Sequence, residues 1–202
     1  MVQRAAEVDR GADRVTFVTW IRRIVWRLRD LPGPPPGITQ ADAEDLLEKG
    51  WHYVDEGQLS KAEGVGKKLV AMKFTGGVEL IAVVQAERGN LEAAVDTLSS
   101  GIALKPVWRL GHLRANYLSD LGRYDEALEA YRDCDGMFGA KPDCTALNRA
   151  IALSRADRDD EARSALQPLL SKEISDEELK AQVWAVARDL DLVPPEAISQ
   201  SP

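Results

Sequence analysis

Histidine and cysteine are scarce in this chain of 202 residues, which has two of each. His52 and His112 lie in different parts of the sequence, and neither stands beside a residue that would complete a catalytic pair. Cys134 and Cys144 are too few for a disulfide framework, and the sequence places no further metal ligands near them. We therefore expect free thiols, no catalytic residue, no metal, no cofactor and no enzymatic activity.

The chain also has fewer basic than acidic residues, and its basic residues are unevenly distributed. The formal net charge is -7, yet residues 1–31 contain seven arginines and only four acidic residues, a net charge of +3. The rest of the chain therefore carries -10. A nucleic-acid partner needs a broad cationic face, so an acidic body with a short basic arm argues against nucleic-acid binding.

A secretory signal is not predicted. The early apolar stretch is interrupted by Arg22 and Arg23 and is not followed by a small-residue cleavage site. Apolar residues make up 45% of the chain and charged residues 29%, which is the balance of a globular protein in water. We expect a cytoplasmic location by default.

The chain does contain an internal repeat. The segment Gly57-Gln58-Leu59-x-x-Ala62 recurs with a glycine and an alanine at the same spacing at Gly89 and Gly122, and in a weaker form at Asp157. The alanines follow one another at intervals of 32, 33 and 35 residues. A glycine between two helical patterns ends the first helix in the left-handed conformation, and a small residue early in the second lets the helices approach closely.

Over about residues 41–170 the chain resembles the tetratricopeptide-repeat (TPR) family, whose period is about 34 residues. Alanines at positions 82, 115 and 150 match the small position in the first helix of repeats two to four. The resemblance implies an all-α fold, a right-handed α-solenoid of about four TPR helix pairs. The helical spacing of Leu179, Val183 and Leu190 predicts a C-terminal capping helix.

Four segments follow from these patterns. Residues 1–31 are predicted to form a basic amphipathic N-terminal helix, and residues 32–37, rich in proline and glycine, a linker. Residues 38–192 form the TPR domain with its capping helix. Residues 193–202 are predicted to be a disordered tail.

Local signals add three narrower expectations. Thr39 is a predicted N-cap, and Ser60-x-x-Glu63 and Ser175-x-x-Glu178 have the pattern of capping boxes. Gly64 and Gly66 would each cost a helix about 1 kcal/mol relative to alanine. The helix that contains them is predicted to be the weakest of the array.

The TPR resemblance also implies a function, because in that family the first helices of successive repeats line a concave groove that holds another polypeptide. The groove positions predicted to bind the partner are Leu47, Trp51, Val83, Arg109, His112, Asn116, Ile151 and Arg155. Family members that clamp a terminal carboxylate use lysine and asparagine pairs there, but the first pair here is Leu47 and Trp51. We expect a scaffold for an apolar or amphipathic segment, chaperone-like in the manner of small bacterial secretion chaperones, which have a similar layout.

The N-terminal helix needs a docking surface of its own. At 100° per residue its apolar side chains fall on one face, with Trp26 on the other; the predicted docking residues are Phe17, Trp20, Ile21, Ile24, Trp26 and Leu28. Three acceptors stay open: the array in cis, another protomer in a homo-oligomer, or a membrane surface. The membrane case defines the alternative function, a peripheral membrane-associated TPR protein anchored by this helix.

Overall fold

The computed structural model describes residues 39–192, in which the regular structure consists of α-helices. They are α1 Gln40–Asp55, α2 Leu59–Ala71, α3 Gly76–Glu87, α4 Leu91–Leu104, α5 Trp108–Asp120, α6 Tyr124–Cys134, α7 Pro142–Arg155, α8 Asp159–Leu170 and α9 Glu177–Asp189. The first eight form four pairs and α9 follows them. The predicted four helix pairs with a capping helix are confirmed.

The helices stack in chain order. Each one packs against the next, and the first helix of each pair, α1, α3, α5 or α7, also contacts the first helix that follows it, ending with α9. Since each pair touches only its neighbours, the arrangement is an α-solenoid, and its stability comes from a series of nearest-neighbour interfaces.

The turn between the two helices of a pair has the predicted backbone. Gly57, Gly89 and Gly122 have φ of +70°, +81° and +75°, the left-handed region that glycine enters without steric cost. At the first of these turns the Gly57 amide donates to the Val54 carbonyl at 3.0 Å, and the next amide to the Tyr53 carbonyl at 2.8 Å. In the fourth pair Asp157 takes the same conformation, with φ of +57°.

Small residues close the contact inside each pair. Ala62, Ala94, Ala127 and Ala162 are fully buried, as are the first-helix alanines at 82, 115 and 150. Gly50 holds the equivalent place in α1, where an added Cβ would clash with Leu80 of α3 and lie 3.0 Å from Val65 Cγ1 of α2. This position therefore faces both the second helix of its own pair and the first helix of the next.

Gly66 has a packing role that cannot be inferred from its low helix propensity. A Cβ at Gly66 would lie 2.7 Å from Ile81 Cγ1 and 3.2 Å from the Gly77 carbonyl oxygen, and a Cβ at Gly77 would lie 2.6 Å from the Gly66 carbonyl oxygen. The backbones of α2 and α3 approach each other here more closely than side chains would allow. Nothing lies within 4 Å of a Cβ at Gly64, so that glycine has no such role.

Thr39 caps α1 as predicted, since its side chain accepts from the Asp42 amide while Asp42 accepts from the Thr39 amide at 2.9 Å. The predictions that Ser60 and Ser175 begin capping boxes are wrong. The helix α2 starts at Leu59, because the second helix begins two residues after the left-handed glycine, so Ser60 already lies in its first turn. The cap of α9 is Asp176 and not Ser175; the Asp176 carboxylate accepts from the Glu178 and Leu179 amides, each at 3.1 Å.

Candidate functional site

The eight predicted partner-binding residues all lie on first helices. Leu47 and Trp51 are on α1 and Val83 is on α3. The α5 residues are Arg109, His112 and Asn116, and Ile151 and Arg155 are on α7. We call the surface that they share the first-helix face. Its two halves, over repeats one and two and over repeats three and four, differ in chemistry.

Over repeats one and two the first-helix face is apolar. Leu47, Trp51 and Val54 of α1 are 8%, 5% and 6% exposed, and Val83 of α3 is 3% exposed. The indole nitrogen of Trp51 is buried and has no hydrogen-bond partner among the described residues. We call these four side chains the apolar floor.

Exposed carboxylates border the apolar floor. Glu48 stands one turn before Trp51 on α1 and Asp55 one turn after it, so both fall beside the indole. Glu44 lies a further turn back, and Glu87 follows Val83 by one turn on α3. These four carboxylates, the acidic rim, give this half of the face a negative border around an apolar centre.

A buried ion pair joins α3 to α5. The Arg109 guanidinium donates to the Glu79 carboxylate, and the two side chains are 11% and 3% exposed. Burial raises the pKa of the Glu79 carboxyl, and the neighbouring Arg109 charge opposes that shift. Because Arg109 already binds Glu79, an incoming partner would have to share it, and its role as an anchor stays a prediction. The sequence signal for this pair is the opposite charge of Glu79 and Arg109 on the first helices of successive repeats.

A polar network joins α5 to α7. Asn148 Nδ2 lies 2.6 Å from His112 Nε2 and donates to Asn116 Oδ1 at 3.2 Å. Asn116 Oδ1 also accepts from the Tyr131 hydroxyl of α6 at 2.5 Å. Beside it, the Trp108 indole donates to Thr145 at 2.9 Å. His112 and Asn116 are 3% and 2% exposed, so they hold repeats three and four together, and their contact with a partner stays a prediction.

Burial shifts the pKa values of His112 and of the two cysteines far from their ordinary values. Burial, helped by the nearby Lys141 charge, lowers the pKa of His112 to about 3. The imidazole is therefore neutral near pH 7, where a general acid or base would need a pKa close to that pH. Cys134 and Cys144 are free thiols, and burial raises their pKa to about 12 and about 11.

The last two predicted residues are the accessible ones. Ile151 is half-buried, whereas Arg155 is exposed and pairs with Asp120 of α5 at 2.9 Å. The predicted docking residues of the N-terminal helix, between Phe17 and Leu28, lie outside the described residues. Within residues 39–192, no helix is both long enough and apolar enough to cross a bilayer.

The architecture is similar to that of solved TPR proteins. A tetratricopeptide repeat protein from Parabacteroides merdae aligns at 18% identity with a TM-score of 0.52, over 74% of this chain and 62% of its own length. A thermophilic TPR protein from Thermus thermophilus aligns at 18% identity with a TM-score of 0.60, over 88% of this chain and 95% of its own. No protein-family model matches the sequence, and no curated protein is significantly similar to it. The chain has the TPR fold.

Proposed function

We propose that this chain is a protein-binding scaffold whose first-helix face over repeats one and two accepts a basic amphipathic helix. The observation that carries the proposal is the apolar floor bordered by the acidic rim, with Glu48 one turn before Trp51 on α1 and Asp55 one turn after it. An amphipathic helix lays its apolar side chains on such a floor, and arginines at its borders reach the carboxylates.

The chain carries a helix of this kind in its own residues 17–31. That segment combines an apolar face with Arg22, Arg23, Arg27 and Arg29, whereas the rest of the chain is acidic. As a helix it would be about 22 Å long, close to the 16 residues of α1 at about 24 Å.

We propose that the occupant is a segment with the apolar and basic composition of residues 17–31. The scaffold would then act as a chaperone-like holder of apolar helices, by binding and without catalysis, in keeping with the neutral His112 and the protonated thiols.

The test uses the full chain, a chain starting at Ile38, and a labelled peptide of residues 14–31. We expect removal of residues 1–37 to lower the thermal unfolding temperature. The peptide should bind the shorter chain, and Trp51→Ala or the pair Glu48→Lys and Asp55→Lys should weaken binding by at least about 10-fold, because central aromatic and charge contacts dominate such interfaces. Circular dichroism checks that each variant folds.

The matched control is the pair Glu92→Lys and Glu129→Lys, which reverses two exposed carboxylates on second helices and should leave peptide binding unchanged. Equal weakening by both pairs would mean only a general charge effect. Loss of an oligomer on truncation would place the helix on a second copy. Sedimentation with anionic vesicles that is lost on truncation, with stability unchanged, would support the membrane-anchored alternative and contradict the proposal.

A further inference from the structure

The connections from one repeat to the next all lie at one edge of the solenoid. Short connections make consecutive helices antiparallel, so the ends of α2, α4 and α6 lie at the same edge as the starts of α3, α5 and α7. The three connections span residues 72–75, 105–107 and 135–141. The third is the longest, and a backbone bridge joins it to the second.

Backbone hydrogen bonds fix the third connection in place. The Trp108 amide donates to the Phe138 carbonyl at 2.9 Å, and the Phe138 amide donates to the Pro106 carbonyl at 3.4 Å. Met137 packs inward, since a Cβ at Gly111 of α5 would lie 2.6 Å from its Sδ atom. The next side chain, Phe138, is 56% exposed. The connection therefore holds an aromatic ring outside the core at a fixed point.

Exposed apolar side chains are concentrated at this edge. Leu104, the last residue of α4, is 87% exposed, and Val70, near the end of α2, is 43% exposed. Together with Phe138 they are three of the four large apolar side chains that are exposed within residues 39–192. Single exposed apolar residues are normal, whereas a group of them at one edge indicates a contact surface.

Each of the three connections also carries a lysine. They are Lys73, Lys105 and Lys141, and none of them binds a carboxylate among the described residues. Residues 64–78 and 97–119 contain no acidic residue, so Lys73 and Lys105 stand in stretches without negative charge. We use the name lysine edge for the group formed by Lys73, Leu104, Lys105, Phe138 and Lys141.

The charges around the lysine edge distinguish it from the rest of the acidic array. Asp133 and Asp135 lie at the end of α6, and Asp143 is paired with Lys172 at 2.6 Å. Beyond the three connections the edge is acidic, since α1 and α9 have acidic residues in their first turns. At the opposite edge, the arginines beside the turns of repeats two to four already bind carboxylates; they are Arg88, Arg123 and Arg158. The three lysines are therefore available to an outside anion.

We propose that the lysine edge binds the surface of a bilayer that contains anionic lipids. Exposed apolar side chains enter the boundary between headgroups and acyl chains, and lysines beside them bind lipid phosphates. Leu104 and Phe138 supply the first contact, and Lys73, Lys105 and Lys141 supply the second. The lysine edge shares no residue with the apolar floor, so this contact is additional to the proposed protein binding.

The shape of the lysine edge favours a bilayer over a protein partner. A side chain that is 87% exposed has almost no neighbours, so Leu104 protrudes from the edge. A protein interface buries its anchors in fitted pockets, whereas a bilayer accepts a protruding side chain without one. The lysines follow one another at intervals of 32 and 36 residues, which spreads them over three connections, as a surface with many phosphates requires.

The test measures sedimentation of the full chain with two sets of vesicles. One set contains phosphatidylserine and phosphatidylcholine, and the other contains phosphatidylcholine alone. We expect the wild type to bind the first set more strongly, and to lose affinity as the salt concentration is raised. Leu104→Ser with Phe138→Ser should weaken binding by at least about 10-fold, because the apolar contact is lost. Leu104→Met with Phe138→Leu keeps that contact and should retain the binding.

A second pair of variants tests the charges. Lys73→Gln with Lys105→Gln should weaken binding to the anionic vesicles by about fivefold per lysine. The matched control, Lys49→Gln with Lys61→Gln, removes the same charge from exposed lysines outside the lysine edge and should leave binding unchanged. Circular dichroism checks that every variant folds.

All these variants keep residues 1–31, so binding carried by that segment alone would be the same in each of them. Equal sedimentation of the wild type and the Leu104→Ser, Phe138→Ser variant would therefore overturn the proposal. The proposal is also wrong if the wild type binds neither set of vesicles but binds a soluble acidic amphipathic peptide, and the lysine variants lose that peptide. The lysine edge would then serve a protein partner.

Discussion

Repeats one and two meet through backbone, whereas repeats three and four meet through polar side chains. In the first interface Gly66 and Gly77 bring α2 and α3 together with no side chain between them. In the second, Asn148 connects His112 and Asn116 across the contact of α5 with α7. The first interface depends on shape, and the second on hydrogen bonds between buried side chains.

Under the proposed function, this difference gives the two halves of the array different roles. In repeats one and two the apolar floor is bordered by the exposed carboxylates of the acidic rim, and the proposal assigns partner binding to this half. In repeats three and four Asn148 Nδ2 contacts His112 and donates to Asn116. The Asn116 side-chain oxygen accepts from both Asn148 and Tyr131. These side-chain hydrogen bonds join α5, α6 and α7, and in the proposed function they support the binding surface of the other half.

The largest effect is expected at the backbone contact of repeats one and two. Gly77→Ala places a Cβ 2.6 Å from the Gly66 carbonyl oxygen and 2.7 Å from the Val70 amide nitrogen. Backbone atoms of a packed helix do not move aside as a side chain does, so the free energy of unfolding should fall by roughly 2 to 3 kcal/mol. Urea unfolding followed by circular dichroism measures the change.

Gly64→Ala is the matched control for Gly77→Ala, because Gly64 lies in α2 with open space around it. It should raise the free energy of unfolding by about 0.5 to 1 kcal/mol through helix propensity alone. If Gly77→Ala stabilised the chain as Gly64→Ala does, the first interface would not depend on close backbone packing between α2 and α3.

Gly66 and the polar network mark the limit of prediction from this sequence. The repeat period predicted the turns at Gly57, Gly89 and Gly122 and the buried alanines, since each depends on local backbone geometry. From helix propensity alone, Gly66 is predicted to destabilise α2. Its stabilising contact is with Gly77 of α3, and helix propensity, which describes a single helix, contains no information on that contact. Contacts such as Glu79 with Arg109 depend on side-chain rotamers across repeats, which periodicity does not specify.

The next effect tests the polar interface by pH. Unfolded histidine takes up a proton below its ordinary pKa of 6.5, whereas folded His112 does so only near pH 3. Between these values the unfolded state binds more protons, so stability is full above pH 6.5 and falls as the pH is lowered. The contribution is at most about 1.4 kcal/mol per pH unit. Urea unfolding at about pH 7, 6, 5 and 4 gives the slope.

His112→Gln isolates this contribution, because acidic residues also titrate below about pH 5 and affect the wild type and the variant alike. The variant should be less stable near pH 7, yet lose less stability per pH unit between about pH 6 and pH 4 than the wild type. Parallel slopes would show that His112 is protonated as easily in the folded chain as in the unfolded one, and that the second interface does not depend on a neutral imidazole.

The smallest effect is expected at the turn of repeat four, which differs from the turns of the first three repeats. Asp157 has φ of +57°, where a residue with a Cβ is strained, and glycine is not. Asp157→Gly removes that strain but adds freedom to the unfolded chain, so the net gain in unfolding free energy should be about 0.5 kcal/mol. Gly122→Ala makes the reverse change at the preceding turn and should cost about 1 kcal/mol. Thermal and urea unfolding of both variants give the two values; a loss of stability in Asp157→Gly would mean that the aspartate side chain stabilises this turn by more than the backbone strain costs.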